Sequence, residues 1–291
     1  MKIDLHIHSR EGSDGKWPLK DIFAEAARRD LKLISITDHD SIAAQAEAME
    51  LARQYGMHFL TGVEFNVTYT CPEYKDGKPF ALDFLGYGFD IGNAPLQVKL
   101  EELRNFREKR ATKILENLNR EFQKEGLRLL TSDDLEAIQA TVDGAFGRPH
   151  IANYLVQEGV VRDRQEAFDR YLLKCNVAKL PLSLGEASGL IRGAGGRLFL
   201  AHPADPNGTS LNVVSEDPAR QQQIISHGML DYIDGIECWH SRLSPEATAS
   251  YGAFAKKHRL LVSGGTDCHQ QPVMIGDVDV PDLVAEQFGF V

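Results

Sequence analysis

The chain has 291 residues, 43% hydrophobic and 25% charged, which suits one large domain, or a domain carrying a sizeable insertion, around a substantial core. No run of about 18 apolar residues and no signal-peptide segment is found, and the four cysteines (Cys71, Cys175, Cys238, Cys268) show no paired spacing, so a cytoplasmic protein with free thiols and no membrane association is expected. A net charge of -10 argues against long nucleic acid as a partner, because affinity there comes from Lys and Arg neutralising phosphates; a small anionic substrate stays open, since bound cations invert the local field.

Strand and helix signals alternate over the first ninety or so residues. Lys2 to Leu5 reads as a short strand. Leu19, Ile22, Phe23 and Ala26 recur at helical spacing behind Pro18, which suits an early helix position. Leu31 to Thr37 reads as a buried strand, and Ser41 is placed to cap a helix that ends near Gly56. His58 to Gly62, Phe65 to Thr70 and Phe80 to Tyr87 are further strands. The middle of the chain changes character. Leu96, Leu100, Leu103, Leu115, Leu118 and Phe122 mark a long charged helix, and 133–140, 149–157, 165–173 and 186–191 read as more helices. Strands resume at 197–201, 235–238 and 260–263, with helices between them. There is no internal repeat and no low-complexity segment. This order predicts a parallel, barrel-like α/β domain from residues 1–97 and 186–291, with an all-helical insertion at 98–185 forming a cap.

The residues that carry chemistry sit at strand ends. In Asp4-Leu5-His6-Ile7-His8-Ser9 the two imidazoles share one face of an extended segment and can grip one metal. Ser13-Asp14-Gly15 puts a carboxylate in a turn just beyond them. Thr37-Asp38-His39-Asp40 follows the second strand, Gly62-Val63-Glu64 the third, and Ala201-His202-Pro203 ends a later one. Catalytic groups in parallel α/β folds gather at such carboxyl ends. Gly264-Gly265-Thr266-Asp267-Cys268-His269 adds Asp and His two residues apart, which turns Cys268 away as a small buried residue; the glycine pair would let the backbone approach a metal. Singly, each has a bland alternative, such as a helix cap for Asp14 or a hydrogen-bonded core imidazole for His202. Together, imidazoles and carboxylates without thiolate suit Zn, Mn or Fe in a hydrolytic site.

In this order, DLHIHS, SDG, ITDHD, GVE, AHP and GGTDCH resemble the polymerase and histidinol phosphatase (PHP) superfamily, most closely its nucleotide-phosphoesterase branch, over essentially the whole chain. That branch also has a segment like Gly147-Arg148-Pro149-His150-Ile151-Ala152 within a helical insertion. The resemblance implies a distorted (β/α)7 barrel with two or three divalent metals. His6, His8, Glu64 and Asp267 would hold one; Glu64, bridging, and His202 a second; Asp14, His39 and His269 a third. Asp38 and Asp40 would orient His39 or its loop. The family usually has a His just before its counterpart of Leu85-Gly86-Tyr87-Gly88, as a ligand of the second metal; Asp83-Phe84 stands there here, and Asp83 is expected to replace it.

Phosphoester hydrolysis follows, with Glu64, His202 and Asp267 as the expected catalytic residues and Arg148, His150 and His240 as substrate contacts. Arg148 suits a phosphate contact, because its guanidinium is a bidentate donor. His202, His240 or a water are the open choices for protonating the leaving oxygen. The branch implies a small nucleotide substrate, such as adenosine 3',5'-bisphosphate losing its 3'-phosphate. The alternatives are a histidinol phosphatase, which the large insertion disfavours, a cyclic phosphodiesterase, a 5'-3' oligonucleotide exonuclease, and, from another class, a non-catalytic metal-binding regulatory module, which the nearly complete ligand set disfavours.

Overall fold

A computed structural model of the chain describes residues 1–72, 74–140, 148–178 and 180–290. The chain divides into an α/β unit, Met1–Leu100 with Pro181–Val291, and a helical unit, Glu101–Leu180.

The α/β unit begins with β1 (Lys2–Asp4), α1 (Leu19–Arg28), β2 (Leu31–Ile34), α2 (Gln45–Tyr55) and β3 (His58–Phe59). The three strands form a parallel sheet in the order β1-β2-β3. Leu19, Ile22, Phe23 and Ala26 of α1 and Ala48, Leu51 and Ala52 of α2 pack with Leu31 and Ile34 in one apolar cluster, so the helical spacing read from the sequence is the buried face. Helix α2 starts later than the Ser41 cap implies: Ser41 Oγ accepts from the Ala43 N–H at 3.3 Å in the preceding turn. Gly56, at φ 68°, closes the helix in the left-handed conformation that glycine takes without strain.

A second sheet has the order β4-β5-β6-β7-β8: β4 (Gly62–Tyr69), β5 (Phe80–Tyr87), β6 (Arg197–Leu200), β7 (Gly235–His240) and β8 (Leu261–Gly265). Here the expected all-parallel architecture gives way. β4 pairs with β5, and β5 with β6, antiparallel; only β6-β7-β8 run parallel. Residues 70–79, which join β4 to β5, hold Pro72 and Gly77, their described residues form no helix, and antiparallel neighbours need no crossover helix. The eight strands thus form two sheets, neither closed into a barrel. Between the sheets run single bridges, Ile7 to Cys268 and His39 to Glu64, with a few loop bonds such as Leu5 N–H to Gly264 O (3.1 Å) and Asp40 N–H to Glu64 O (2.8 Å). Those seams lie where the chain leaves its strands to present the ligand-type residues.

In the helical unit, α3 (Ala94–Glu125) enters from the α/β unit and is followed by α4 (Ser132–Ala140), α5 (Arg148–Gln157) and α6 (Arg164–Ala167). The helix expected over 165–173 is split, because a π-helical turn at Phe168–Leu172 follows α6. Ile114, Leu118, Phe122, Ile151, Leu155 and Tyr171 belong to its own apolar core. Gly147, of the GRPHIA segment, lies outside the described residues. The chain returns through α7 (Leu184–Gly193), and α8 (Pro218–Gly228), α9 (Pro245–His258) and α10 (Leu283–Glu286) complete the α/β unit.

Candidate metal centre

The strand ends of the α/β unit bring the expected residues together. Glu64, the third residue of β4, is buried at the middle of the group. Its Oε2 lies 3.4 Å from His6 Nε2, 3.2 Å from His8 Nε2 and 3.1 Å from His39 Nδ1, while Oε1 lies 3.0 Å from His202 Nε2. Asp267 approaches from the far side, with Oδ1 3.3 Å from both His6 and His8 and 3.4 Å from His269 Nδ1. Asp14 is 3.1 Å from His269 Nε2, and the rings of His8 and His269 stack at 3.9 Å. Five overlapping groups result among the described residues: His6–His8–Glu64–Asp267, His8–Asp14–His39–His269 and Glu64–Asp83–His202, with His6–Glu237–His240 and Asp205–His240–Asp267 beside them.

These groups fit divalent cations. His6 Nε2 and His8 Nε2 are buried and have no hydrogen-bond partner among the described residues, although carboxylate oxygens stand close by; His202 Nδ1 and His240 Nε2 are also buried without a partner there, while His202 Nε2 lies 3.0 Å from Glu64 Oε1. The contacts of 3.2–3.4 Å are too poorly aimed for hydrogen bonds to His6 and His8 Nε2. They match the edges of a coordination polyhedron, since atoms bound at about 2.0–2.2 Å to one ion stand about 3.0 Å apart along an octahedral edge and about 3.4 Å along a tetrahedral one. Without a cation, protons must balance the carboxylates. Burial disfavours the His8 imidazolium, but the Asp267 and Glu64 carboxylates outweigh it and push its pKa up to about 10. His202 is carried to about 9, against burial, by Glu64. Glu64 and Asp267 are held well below the usual carboxylate range, because the surrounding imidazoles overcome their burial.

Asp83 belongs to the group with Glu64 and His202 and is buried. Its Oδ1 accepts from Asn66 Nδ2 at 2.6 Å, the cross-strand neighbour in the β4–β5 register. Burial first, and then the Glu64 charge, raise its pKa to about 6. Cys268 is buried with its Sγ directed to Val273 O at 3.1 Å, away from the group as expected. The glycine pair also lets neighbouring chain come close: a Cβ on Gly265 would collide with His6 N at 2.3 Å, and one on Gly264 with Trp239. Two members sit in a backbone region that L-residues seldom occupy, His202 at φ 25° and Asp267 at φ 55°.

Several supporting residues escape a reading of the sequence. Glu237 is fully buried; its Oε1 lies 2.9 Å from His6 Nδ1, and its Oε2 accepts the His202 N–H at 2.8 Å. A carboxylate accepts only, so His6 Nδ1 donates and Nε2 is turned to the centre. Strict alternation would pair Glu237 with Trp239, but a register shift between them places Glu237 and His240 on the same side of β7. Asp38, expected to orient His39 or its loop, instead holds the loop behind His8: it accepts from Ser9 N–H (2.7 Å), Ser9 Oγ (2.7 Å) and Ser13 Oγ (2.8 Å), and Ser13 Oγ lies 3.2 Å from His8 Nδ1. Arg242, two residues past β7, bonds Asp205 and Asp267.

Of the expected substrate contacts, His240 is at the centre. Its Nε2 lies 3.4 Å from Asp267 Oδ2, and its Nδ1 accepts the Arg242 N–H at 3.2 Å. Arg148 and His150 lie in the first turn of α5 in the helical unit, with the Arg148 guanidinium 5.6 Å from the centre of the Phe168 ring.

Buried imidazoles and carboxylates converging near the strand ends of an α/β fold, with imidazole nitrogens left without a hydrogen-bond partner among the described residues, define a metal-dependent hydrolase. The chain belongs to the PHP domain family, which it matches over residues 4–177. It is 30% identical, over 92% of its length and 87% of the relative, to a 3',5'-nucleoside bisphosphate phosphatase of Chromobacterium violaceum. To a 5'-3' exoribonuclease of Haemophilus influenzae it is 31% identical, over 72% of this chain and 71% of that one. Among solved structures, a protein of Bifidobacterium adolescentis assigned as a metal-dependent phosphoesterase superposes with a TM-score of 0.72 at 28% identity, covering 98% of this chain and 94% of that one.

Proposed function

We propose that the centre removes a phosphate from a small nucleotide, with a nucleoside 3',5'-bisphosphate losing its 3'-phosphate as the substrate of choice. The observation that carries this reading is the convergence of His6, His8, Asp14, His39, Glu64, His202, Asp267 and His269 around unsatisfied imidazole nitrogens. The similarity to the bisphosphate phosphatase supports the substrate. On this reading two or three ions of Mn, Zn or Fe are held, one by His6, His8, Glu64 and Asp267, one by Glu64, Asp83 and His202, and one by Asp14, His39 and His269. When bound, such ions lower the pKa of water toward neutrality and neutralise phosphoryl oxygens as charge builds. The two sheets are then the arcs of a distorted (β/α)7 barrel whose seams carry the ligands.

The protein's own groups set the rest. Glu64, with its two oxygens turned to different imidazoles, shares the ligand groups between neighbouring sites. Glu237 keeps the His6 proton on Nδ1. Because His240 Nδ1 accepts a backbone N–H, neutral His240 carries its proton on Nε2, facing the centre, where it donates a hydrogen bond to a phosphate oxygen of the substrate. Arg148 and His150, from the insertion at 98–185, contribute substrate contacts. A second reading has one specific support, the exoribonuclease similarity: the same centre would release nucleotides from the 5' end of a short RNA, which needs only a chain end and is compatible with a net charge of -10. The test is turnover of nucleoside 3',5'-bisphosphates, mononucleotides, cyclic phosphates, histidinol phosphate and short 5'-phosphorylated RNA after chelation and manganese reloading. Release of inorganic phosphate from the bisphosphate at the highest kcat/KM is expected. Preference for RNA would select the second reading, and no turnover of any phosphoester would refute both.

A further inference from the structure

We infer that Arg242 is a substrate-binding residue that anchors a phosphate oxygen on the Asp267 side of the centre; this rests on the phosphoester reading above. Its turn is fixed to the centre, because the Arg242 N–H bonds His240 Nδ1 at 3.2 Å and the Leu243 N–H bonds His240 O at 3.1 Å. Its guanidinium is fixed as well. Nε donates to Asp205 Oδ2 at 2.8 Å, and Nη2 meets both Asp205 Oδ2, at 2.7 Å, and Asp267 Oδ2. Asp205 is completely buried and held in turn by the Asn207 N–H at 2.9 Å, so the clamp is rigid before any substrate arrives.

One edge of the guanidinium is therefore committed, and the other is free. Nη1 has no partner among the described residues, and the Arg242 side chain is 30% exposed where those of Asp205 and Asp267 are 0% and 6%. Asp267 is in contact with His6, His8 and His269, so the Arg242 guanidinium that bonds it stands beside the metal-ligand cluster itself. A guanidinium stays charged at any working pH and matches phosphoryl oxygens in geometry. It thus adds a permanent positive charge next to a cluster whose other charged members are carboxylates and titratable imidazoles.

The test uses full-length Arg242→Ala and Arg242→Lys, with metal content as the check that the centre is intact. Turnover of a nucleoside 3',5'-bisphosphate is measured, together with calorimetric binding of inorganic phosphate to manganese-loaded protein. The expected results for Arg242→Ala are wild-type metal content, KM raised roughly ten- to a hundredfold with a smaller change in kcat, and phosphate binding weakened by a similar factor. Arg242→Lys should recover part of the phosphate affinity, because charge returns without the planar fork. Unchanged KM and phosphate affinity would overturn the inference. So would metal loss with a lower kcat and unaltered phosphate binding, which marks Arg242 as a brace for Asp267 alone. If the wild type hydrolyses no phosphoester, the functional reading fails, and phosphate calorimetry still decides the role of Arg242.

Discussion

Glu237→Gln probes how the centre is held without removing any ligand. Glu237 divides its oxygens between His6 Nδ1 (2.9 Å) and the His202 N–H (2.8 Å), and both groups face it as donors. Glutamine keeps the volume but offers one oxygen and one NH2. If the NH2 meets His6, Nδ1 must turn acceptor, the ring proton moves to Nε2, and the nitrogen between Glu64 and Asp267 is blocked for ligation. If it meets His202 instead, two donors oppose each other in a fully buried position, next to a residue already at φ 25°. Either way, loss of such a supporting carboxylate lowers metal affinity about ten- to a hundredfold, which is about 1.4–2.7 kcal/mol. Competition against a fluorescent chelator near neutral pH measures this directly, with circular dichroism showing that the variant is folded. A folded Glu237→Gln protein that binds manganese as tightly as wild type would refute the positioning argument.

Asp83→Ala is expected to lower metal stoichiometry and turnover together while Asp83→His preserves both; an alanine variant with full metal content removes Asp83 from the ligand set. Arg148→Ala should raise KM for phosphorylated substrates roughly ten- to a hundredfold, the worth of one charge-assisted contact, and leave metal content intact; unchanged KM across the substrate panel contradicts the assignment. With His8 at about 10, His202 at about 9 and His6 held, against its burial, well above the ordinary value by Glu237 and Glu64, these three imidazoles hold protons near neutral pH in the metal-free protein, so metal uptake should release about three protons per chain. Calorimetry in buffers of different ionisation heat detects that release, and buffer-independent heats count against it. The raised His8 and His202 values stabilise the metal-free fold fully below the ordinary 6.5 and are lost as pH climbs through about 9 and 10, so the chelated protein should melt at lower temperature in that alkaline range. A midpoint that stays level or rises there opposes the account.

Several ligand-type residues were legible because they stand just past an apolar run, where a buried strand gives way to a loop: His6 and His8 after Lys2–Asp4, His39 after Leu31–Ile34, His202 after Arg197–Leu200; Glu64, expected to follow a strand, instead stands third in β4, and Asp83 lies within β5. Helical faces were legible for the same periodic reason, as in Leu19, Ile22, Phe23 and Ala26. Glu237 was hidden because the β7 register shift breaks the period of two, and no local pattern announces it. Asp205 and Arg242 meet Asp267 only through tertiary structure, across 37 and 25 residues for the two Arg242 bonds. The antiparallel turn of β4 and β5 did leave a sign, since residues 70–79 carry Pro72 and Gly77 and no helical spacing. That the strands divide between two sheets depends on the loops at the seams, which hydrophobic periodicity does not describe.

The central claim is that this buried group of imidazoles and carboxylates is a metal centre. Elemental analysis of the purified protein, expressed with and without manganese supplementation, tests it most directly. Two or three transition-metal ions per chain are predicted, falling in a Glu64→Gln variant because Glu64 is shared between sites. No more than trace metal in the supplemented wild-type protein would contradict it.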